Sequence, residues 1–163
     1  MPTPTYEPVA TVTATSGGSI LVMDSIPQTY TDLVLVVNGN TTNDDEFRLR
    51  FNNDSGSNYR VLFMYGSSSG VSSAEYASTT FAQMGGIYSS GTRTGSNIIN
   101  IFGYSNTNFN KTVVSTANSG NYIQFRTNVW RSTSAITRID VFIAGGGTFV
   151  DPTTLTLYGI KRA

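Results

Sequence analysis

Hydrophobic residues recur at every second position through most of this chain, and no stretch keeps a helical period over three turns. The cleanest case is Glu46-Phe47-Arg48-Leu49-Arg50-Phe51. Phe47, Leu49 and Phe51 fall on one side and Glu46, Arg48 and Arg50 on the other, as in a half-buried strand. Asp32 to Val37 is an apolar strand followed by Asn38-Gly39, a pair that favours a type I′ hairpin turn because both residues take φ > 0. Tyr59 to Tyr65 puts Val61 and Phe63 on one face and Leu62 and Met64 on the other. Further strands are predicted over 96–104, 111–117, 121–131, 136–143 and 154–161, and Tyr6–Ala14 with Ser19–Met23 reads as an opening hairpin. Residues 66–80 are serine-rich and weakly patterned; they predict a long loop with room for a short helix near Ala74-Glu75-Tyr76-Ala77.

About ten short strands with turn signals between them predict an all-β fold, an antiparallel β-sandwich with long loops, jelly-roll-like in its winding. Pro8, Pro27 and Pro152 are placed at strand starts or between strands, where a missing N–H does least harm. Gly159, inside the last strand, predicts a bulge or a close backbone approach. Trp130 is expected in the core. No internal repeat or linker divides the chain. The expected organisation is an extended N-terminal arm over residues 1–8 and one sandwich domain over 9–163.

Composition narrows the chemistry. The 163 residues include no histidine and no cysteine, while serine, threonine, asparagine and glycine make up over two fifths of the chain. Histidine is the side chain that titrates near neutral pH and the commonest metal ligand; cysteine supplies thiolates, structural zinc sites and disulfides. Short polar residues and glycine suit a turn-rich β scaffold. The expectation is a surface that binds or assembles, not an enzyme, and no cofactor or metal is implied. Ten acidic and ten basic residues give a formal net charge of zero, without a Lys/Arg cluster beyond Lys161-Arg162. Nucleic-acid binding needs a basic face and membrane-surface binding usually needs one too, so neither partner is expected. The first residues lack a basic n-region and an apolar h-region, and no apolar run reaches the length of a span; synthesis and folding in a cytoplasm are expected.

Several motifs suggest chemistry and are better explained by structure. Asn43-Asp44-Asp45-Glu46 has calcium-ligand types, and its carboxylates raise glycoside hydrolysis, but consecutive residues diverge and Glu46 opens a strand. A solvated loop fits better. Asn52-Asn53-Asp54-Ser55-Gly56 resembles the start of an EF-hand loop, yet Phe63 stands where its glutamate would, so a hairpin turn is expected, with Asp54 and Gly56 serving turn geometry. Gly145-Gly146-Gly147 lacks the lysine and hydroxyl of a P-loop. The nine tyrosines and nine phenylalanines divide between core and rim. Tyr6, Tyr76, Tyr88, Tyr104 and Phe109 are the candidate contact residues, for assembly or for stacking a sugar.

Five stretches carry a resemblance: Tyr6-Glu7-Pro8-Val9-Ala10, Ser25-Ile26-Pro27-Gln28-Thr29-Tyr30-Thr31-Asp32-Leu33-Val34-Leu35, Arg50-Phe51-Asn52-Asn53-Asp54-Ser55-Gly56-Ser57-Asn58-Tyr59, Trp130-Arg131-Ser132-Thr133-Ser134-Ala135-Ile136 and Thr156-Leu157-Tyr158-Gly159-Ile160-Lys161. In these the chain resembles small virion structural proteins of tailed bacteriophages, as found in phages of cyanobacteria and other aquatic bacteria. The resemblance implies a β-sandwich without catalytic residues, serving as a capsid decoration (cement) protein or as a tail or fibre component. The first role implies the major capsid protein as partner, the outer surface of the virion as location and a homo-oligomer, with a trimer expected. The second implies recognition of a host cell-surface glycan.

Overall fold

The computed structural model describes residues 5–43, 45–87, 95–118 and 122–161. The chain is all-β and forms two antiparallel sheets packed as a sandwich. Its strands are β1 (Tyr6–Thr13), β2 (Ile20–Met23), β3 (Asp32–Thr41), β4 (Asp45–Phe51), β5 (Tyr59–Ser67), β6 (Gly70–Thr79), β7 (Ala82–Ile87), β8 (Gly95–Phe102), β9 (Lys111–Asn118), β10 (Ile123–Trp130), β11 (Ile139–Ile143) and β12 (Phe149–Ile160). The large sheet runs β1-β12-β3-β8-β9-β10-β5-β6 and the small sheet β2-β11-β4-β7. Among the described residues no helix is long and apolar enough to cross a membrane.

The alternation predicted for β4 holds: Phe47, Leu49 and Phe51 are fully buried, and the residues between them are not. They meet Leu33, Leu35, Ile99, Ile101, Leu155 and Leu157 from the facing sheet. Trp130 is in the core, stacked at 6.3 Å on Tyr59 and tilted at 5.5 Å against Phe51.

Several connections differ from the expectation, always because a local signal was overruled by a distant neighbour. Asn38-Gly39 is not a turn; β3 continues through it, with Gly39 opposite Gly95. Next to it, β12 bulges between Val150 and Thr154, and a Cβ on Gly39 would lie 2.3 Å from the Thr153 hydroxyl. Glycine stands there to admit the bulge. The segments 6–14 and 19–23 do not pair as a hairpin, because β1 belongs to the large sheet and β2 to the small one. The Asn52–Asn58 turn likewise joins strands of different sheets, β4 and β5. Residues 66–80 are neither loop nor helix but the β5–β6 hairpin, turning at Ser68-Ser69 with Ser67 opposite Gly70. Pro8 and Pro152 lie inside strands, each at a register shift, as a residue without an N–H requires. Tyr6, Glu7 and Pro8, assigned above to an arm, pair with Ile160, Gly159 and Tyr158 of β12.

Gly159 does mark a close approach. A Cβ there would fall 2.3 Å from the Tyr30 ring, so the ring lies on bare backbone. The Tyr30 hydroxyl donates to Glu7 at 3.2 Å, and Glu7 also pairs with Lys161 at 2.8 Å. The stretches around residues 6–8, 25–31 and 158–161 therefore close one end of the sandwich together. At the same end the Tyr104 hydroxyl donates to the Pro27 carbonyl, and Gln28 donates to the carbonyls of Ile26 and Ile136, both at 2.9 Å.

The Asn52–Asn58 turn is tied to the core through Asp54. Its carboxylate accepts the Trp130 indole N–H at 2.6 Å, the Gly56 N–H at 2.9 Å and the Asn58 amide at 3.0 Å. Burial pushes the pKa of this carboxyl up, but the hydrogen bonds from Trp130, Asn58 and Gly56 outweigh it, so its pKa is held below the ordinary value. A depressed folded pKa gives stability that is present above the unfolded value and lost as pH falls through the folded one.

Two predictions follow from these contacts. Gly159→Ala should cost about 1–3 kcal/mol by overpacking against Tyr30, and Tyr30→Ala in the same chain should restore part of that loss; equal and additive losses in urea melts would show that the ring does not rest on Gly159. Asp54→Asn should destabilise the protein near neutral pH, and the gap from wild type should narrow as thermal melts approach about pH 2.

Candidate interaction surfaces

The two sheets are unequal in width, so part of the large sheet has no facing layer. Its two faces then carry different chemistry.

On the outer face, strand register aligns Met64 with Phe125, Phe125 with Thr116 and Thr116 with Ile98. Leu62, Ile123, Phe102 and Val71 fall on the same side by period-two alternation. All seven of these large apolar side chains are exposed, Val71 to 83% and Ile123 to 77%. Thr112, Val114, Thr127 and Asn100 lie between them. Charged groups sit at the rim: the Arg60–Glu75 ion pair on the β5–β6 hairpin, and Asp32, whose carboxylate accepts the Gly103 N–H at 2.7 Å. The small sheet is the opposite case. Its solvent side carries Arg48 over Phe81 at 4.0 Å, Arg50 over Phe142 at 4.7 Å, and the Arg138–Asp140 pair. A contiguous, nearly uncharged apolar patch on a folded domain marks an interaction surface.

A cleft of about 520 Å³ borders this face, lined by Asp32, Phe102, Asn106, Phe109, Asn110 and Thr112 among others. Lys111 holds its wall. The side chain is buried, and its ammonium donates to the carbonyls of Phe109 at 3.0 Å and Thr133 at 3.2 Å. Burial lowers its pKa.

On the inner face, beyond the edge of the small sheet, Phe63, Tyr65, Tyr76 and Tyr122 form an aromatic step. Ring centroids are 5.6 Å apart for Phe63–Tyr76, 6.2 Å for Phe63–Tyr65 and 5.8 Å for Tyr65–Tyr122. Arg126 extends over Phe63 at 5.0 Å and pairs with Glu46 at 2.5 Å. The wall of the step is β7, and side chains of the large sheet bond its backbone: Asn128 accepts from the Gln83 N–H at 2.9 Å and donates to its carbonyl at 3.1 Å, Asn97 donates to the Gly85 carbonyl at 3.0 Å, and Gln124 accepts from the Gly86 N–H at 3.3 Å.

Three of the five candidate residues lie on these surfaces. Tyr6 is exposed on β1 at the far edge of the outer face, and Phe109 is exposed in the bordering cleft. Tyr76 is exposed on the aromatic step. Tyr104 is a correction: it is fully buried, its hydroxyl donating to Pro27 and accepting the Tyr30 N–H at 3.3 Å, and burial pushes its pKa up. It is a core pin. Tyr88 lies outside the described residues. The sequence reading missed the apolar patch, although the run Val61 to Tyr65 is apolar on both of its faces and could have signalled it. Asp44 is also outside the described residues; Asp45 accepts the N–H of Glu46 at 2.7 Å, and Glu46 turns to Arg126. Among the described residues no group of three or more acidic side chains could hold a metal ion.

No family model and no curated sequence matches the chain. Among solved structures it is similar to the marine PL-14 alginate lyase from Aplysia kurodai, at 9% identity and a TM-score of 0.31, covering 85% of this chain and 72% of the lyase. At that level of similarity no residue or activity transfers.

If the outer patch is surface and not core, replacing Phe125 and Ile123 by serine should change stability by no more than about 0.5 kcal/mol while sharply reducing the fluorescence of a bound hydrophobic dye. A cooperative loss of several degrees in the melt would show that these side chains support the fold.

Proposed function

We propose that this protein is a bacteriophage virion structural protein, a capsid decoration protein that docks on the major capsid protein at the outer surface of the shell. The observation that carries the reading is the outer face of the large sheet, with seven exposed apolar side chains and its charges at the rim. The strand order supports reading the winding as a jelly roll with additions. The set β1-β12-β3-β8 faces β2-β11-β4-β7, the chain crosses between sheets at each of the first four strands, and the β5–β6 and β9–β10 hairpins widen one sheet. Those additions supply most of the apolar patch, so the extra strands make the surface that a binding role needs. The motifs that resemble phage virion proteins support the reading in a different way: they build the closed end and the Asp54–Trp130 turn, which hold the face rigid and leave function to surfaces.

The mechanism is linkage. A protein that binds only the assembled lattice stabilises that lattice by mass action, and many copies multiply a modest contribution from each. Because the face is nearly uncharged, shape and apolar contact set the affinity, and salt screening has little to act on.

The aromatic step favours a second reading, a tail or receptor-binding module. Tyr76 presents a sugar-sized ring against Phe63, which also stacks on Tyr65 and lies under Arg126, the partner of Glu46. The two readings use opposite faces of the large sheet, so one experiment separates them. Undecorated shells mixed with wild type should retain it after sedimentation at low and high salt alike, and Phe125→Asp should abolish retention while Tyr76→Ala does not. Absence of shell binding, together with Tyr76-dependent binding to host-cell glycans, would replace decoration by receptor recognition.

A further inference from the structure

Edge strands expose unpaired backbone donors and acceptors, and proteins blunt them by shortness, proline, bulges, charge or cover. Three of the four edges here are blunted. β1 carries Pro8 and a register shift beside it. β2 is four residues long. The free side of β7 is bonded by Asn128, Asn97 and Gln124. Along Gly70 to Tyr76, β6 has no proline, bulge or covering segment among the described residues. It is ten residues long, it contains no proline or lysine, and every position but the last is exposed. Its one charge, Glu75, is paired with Arg60 of its own hairpin. Only its far end is held, where Arg131 donates to the Ala77 carbonyl at 2.7 Å and to the Ser78 hydroxyl at 3.2 Å.

We propose that β6 is the pairing edge of a two-fold dimer, in which a second copy of this chain adds its own β6 antiparallel across a dyad at Ala74. The backbone parity fits. Ser67 and Gly70 close a two-residue hairpin as a hydrogen-bonded pair, and bonding alternates along an antiparallel ladder. Gly70, Ser72 and Ala74 thus bond inward to β5, and the N–H and C=O groups of Val71, Ser73 and Glu75 point to the open side. With the dyad at Ala74, Ser73 stands opposite Glu75 of the second copy and the outward groups of both meet. Ser72 stands opposite Tyr76, so the one large ring meets a small side chain. No like charges face each other, which is what makes the edge self-complementary and favours a second copy over a strand of a different protein. Such a dimer is isologous. It joins the two large sheets into one, sets Ser73 and the Arg60–Glu75 ion pairs at the seam between the two apolar outer faces, and brings the two aromatic steps side by side. It differs from the trimer expected of the decoration role.

The test is sedimentation velocity of the full chain over a rising concentration series, with circular dichroism and thermal melts of every variant. Wild type should convert from monomer to dimer. Ala74→Lys and Ala74→Glu, each setting like charges face to face at the dyad, should each stay monomeric with an unchanged melt, and mixing the two should restore the dimer. Ser73→Pro, which removes an outward N–H, should also stay monomeric. Independently of any substitution, amide exchange at Val71, Ser73 and Glu75 should slow as wild-type concentration rises. A wild type that is monomeric throughout, a dimer that survives both charge variants, or amides at these positions that exchange at the same rate at all concentrations would overturn the proposal. So would a monomer whose β6 amides are protected only on capsid shells, since the occupant of the edge would then be the shell protein.

Discussion

The hydrogen bonding of one strand edge decides how this sandwich closes. Strand β7 is the last strand of the small sheet, and its free side faces the inner surface of the large one. Buried backbone groups left without partners would cost free energy comparable to lost hydrogen bonds. Asn97, Gln124 and Asn128 supply those partners from β8 and β10. With amide side chains in place of a further strand, the small sheet ends there. The large sheet does not, because β10, β5 and β6 continue its ladder. The inner face beyond that line is left without a facing sheet by this mismatch in width.

The uncovered part of the large sheet then presents two unlike faces from the same strands. Period-two alternation sends Leu62, Met64, Ile123 and Phe125 outward and Phe63, Tyr65 and Arg126 inward. Neither set has an opposing layer of protein to bury it fully. The outward set is apolar and nearly free of charge, suited to a flat protein partner. The inward set mixes rings with Arg126, Glu46 and Gln83. Arg126 is itself buried and paired, so breaking that pair by removing Glu46 would leave an uncompensated charge, which is far costlier than the pair is stabilising. The inner face is therefore held in one arrangement while the outer face remains free to make contacts.

The far end of the molecule is closed by contacts between segments remote in sequence. Tyr30 rests on Gly159 and reaches Glu7, which pairs with Lys161. Tyr104 and Gln28 tie the 25–31 turn to the 131–138 segment through Pro27 and Ile136. Asp54 fastens a surface turn to Trp130. Each removes a degree of freedom from a loop, and together they hold one end of the sandwich closed.

The amino-acid sequence determined what local periodicity can determine. The all-β class, the inward and outward residues of β4 and β5, the burial of Trp130, the turn role of Asp54 and the close approach at Gly159 were legible because each depends on neighbours one or two positions away or on a residue type with a single steric use. Strand pairing was not legible, since it is set by partners many residues distant. Asn38-Gly39 has a strong turn signature, and only the bulge at Thr153 in the adjacent strand shows why glycine is there. β6 escaped the pattern because a strand exposed on both faces has no reason to alternate. Tyr104 and Phe109 stand in the same loop with similar aromatic character, and only the tertiary structure makes one a core residue, its hydroxyl bonded to Pro27, and leaves the other exposed. The same limit applies to the apolar patch: Leu62, Met64, Ile98 and Phe125 have the composition of a core, and only the packing of the small sheet on the opposite face turned them outward, where they are exposed.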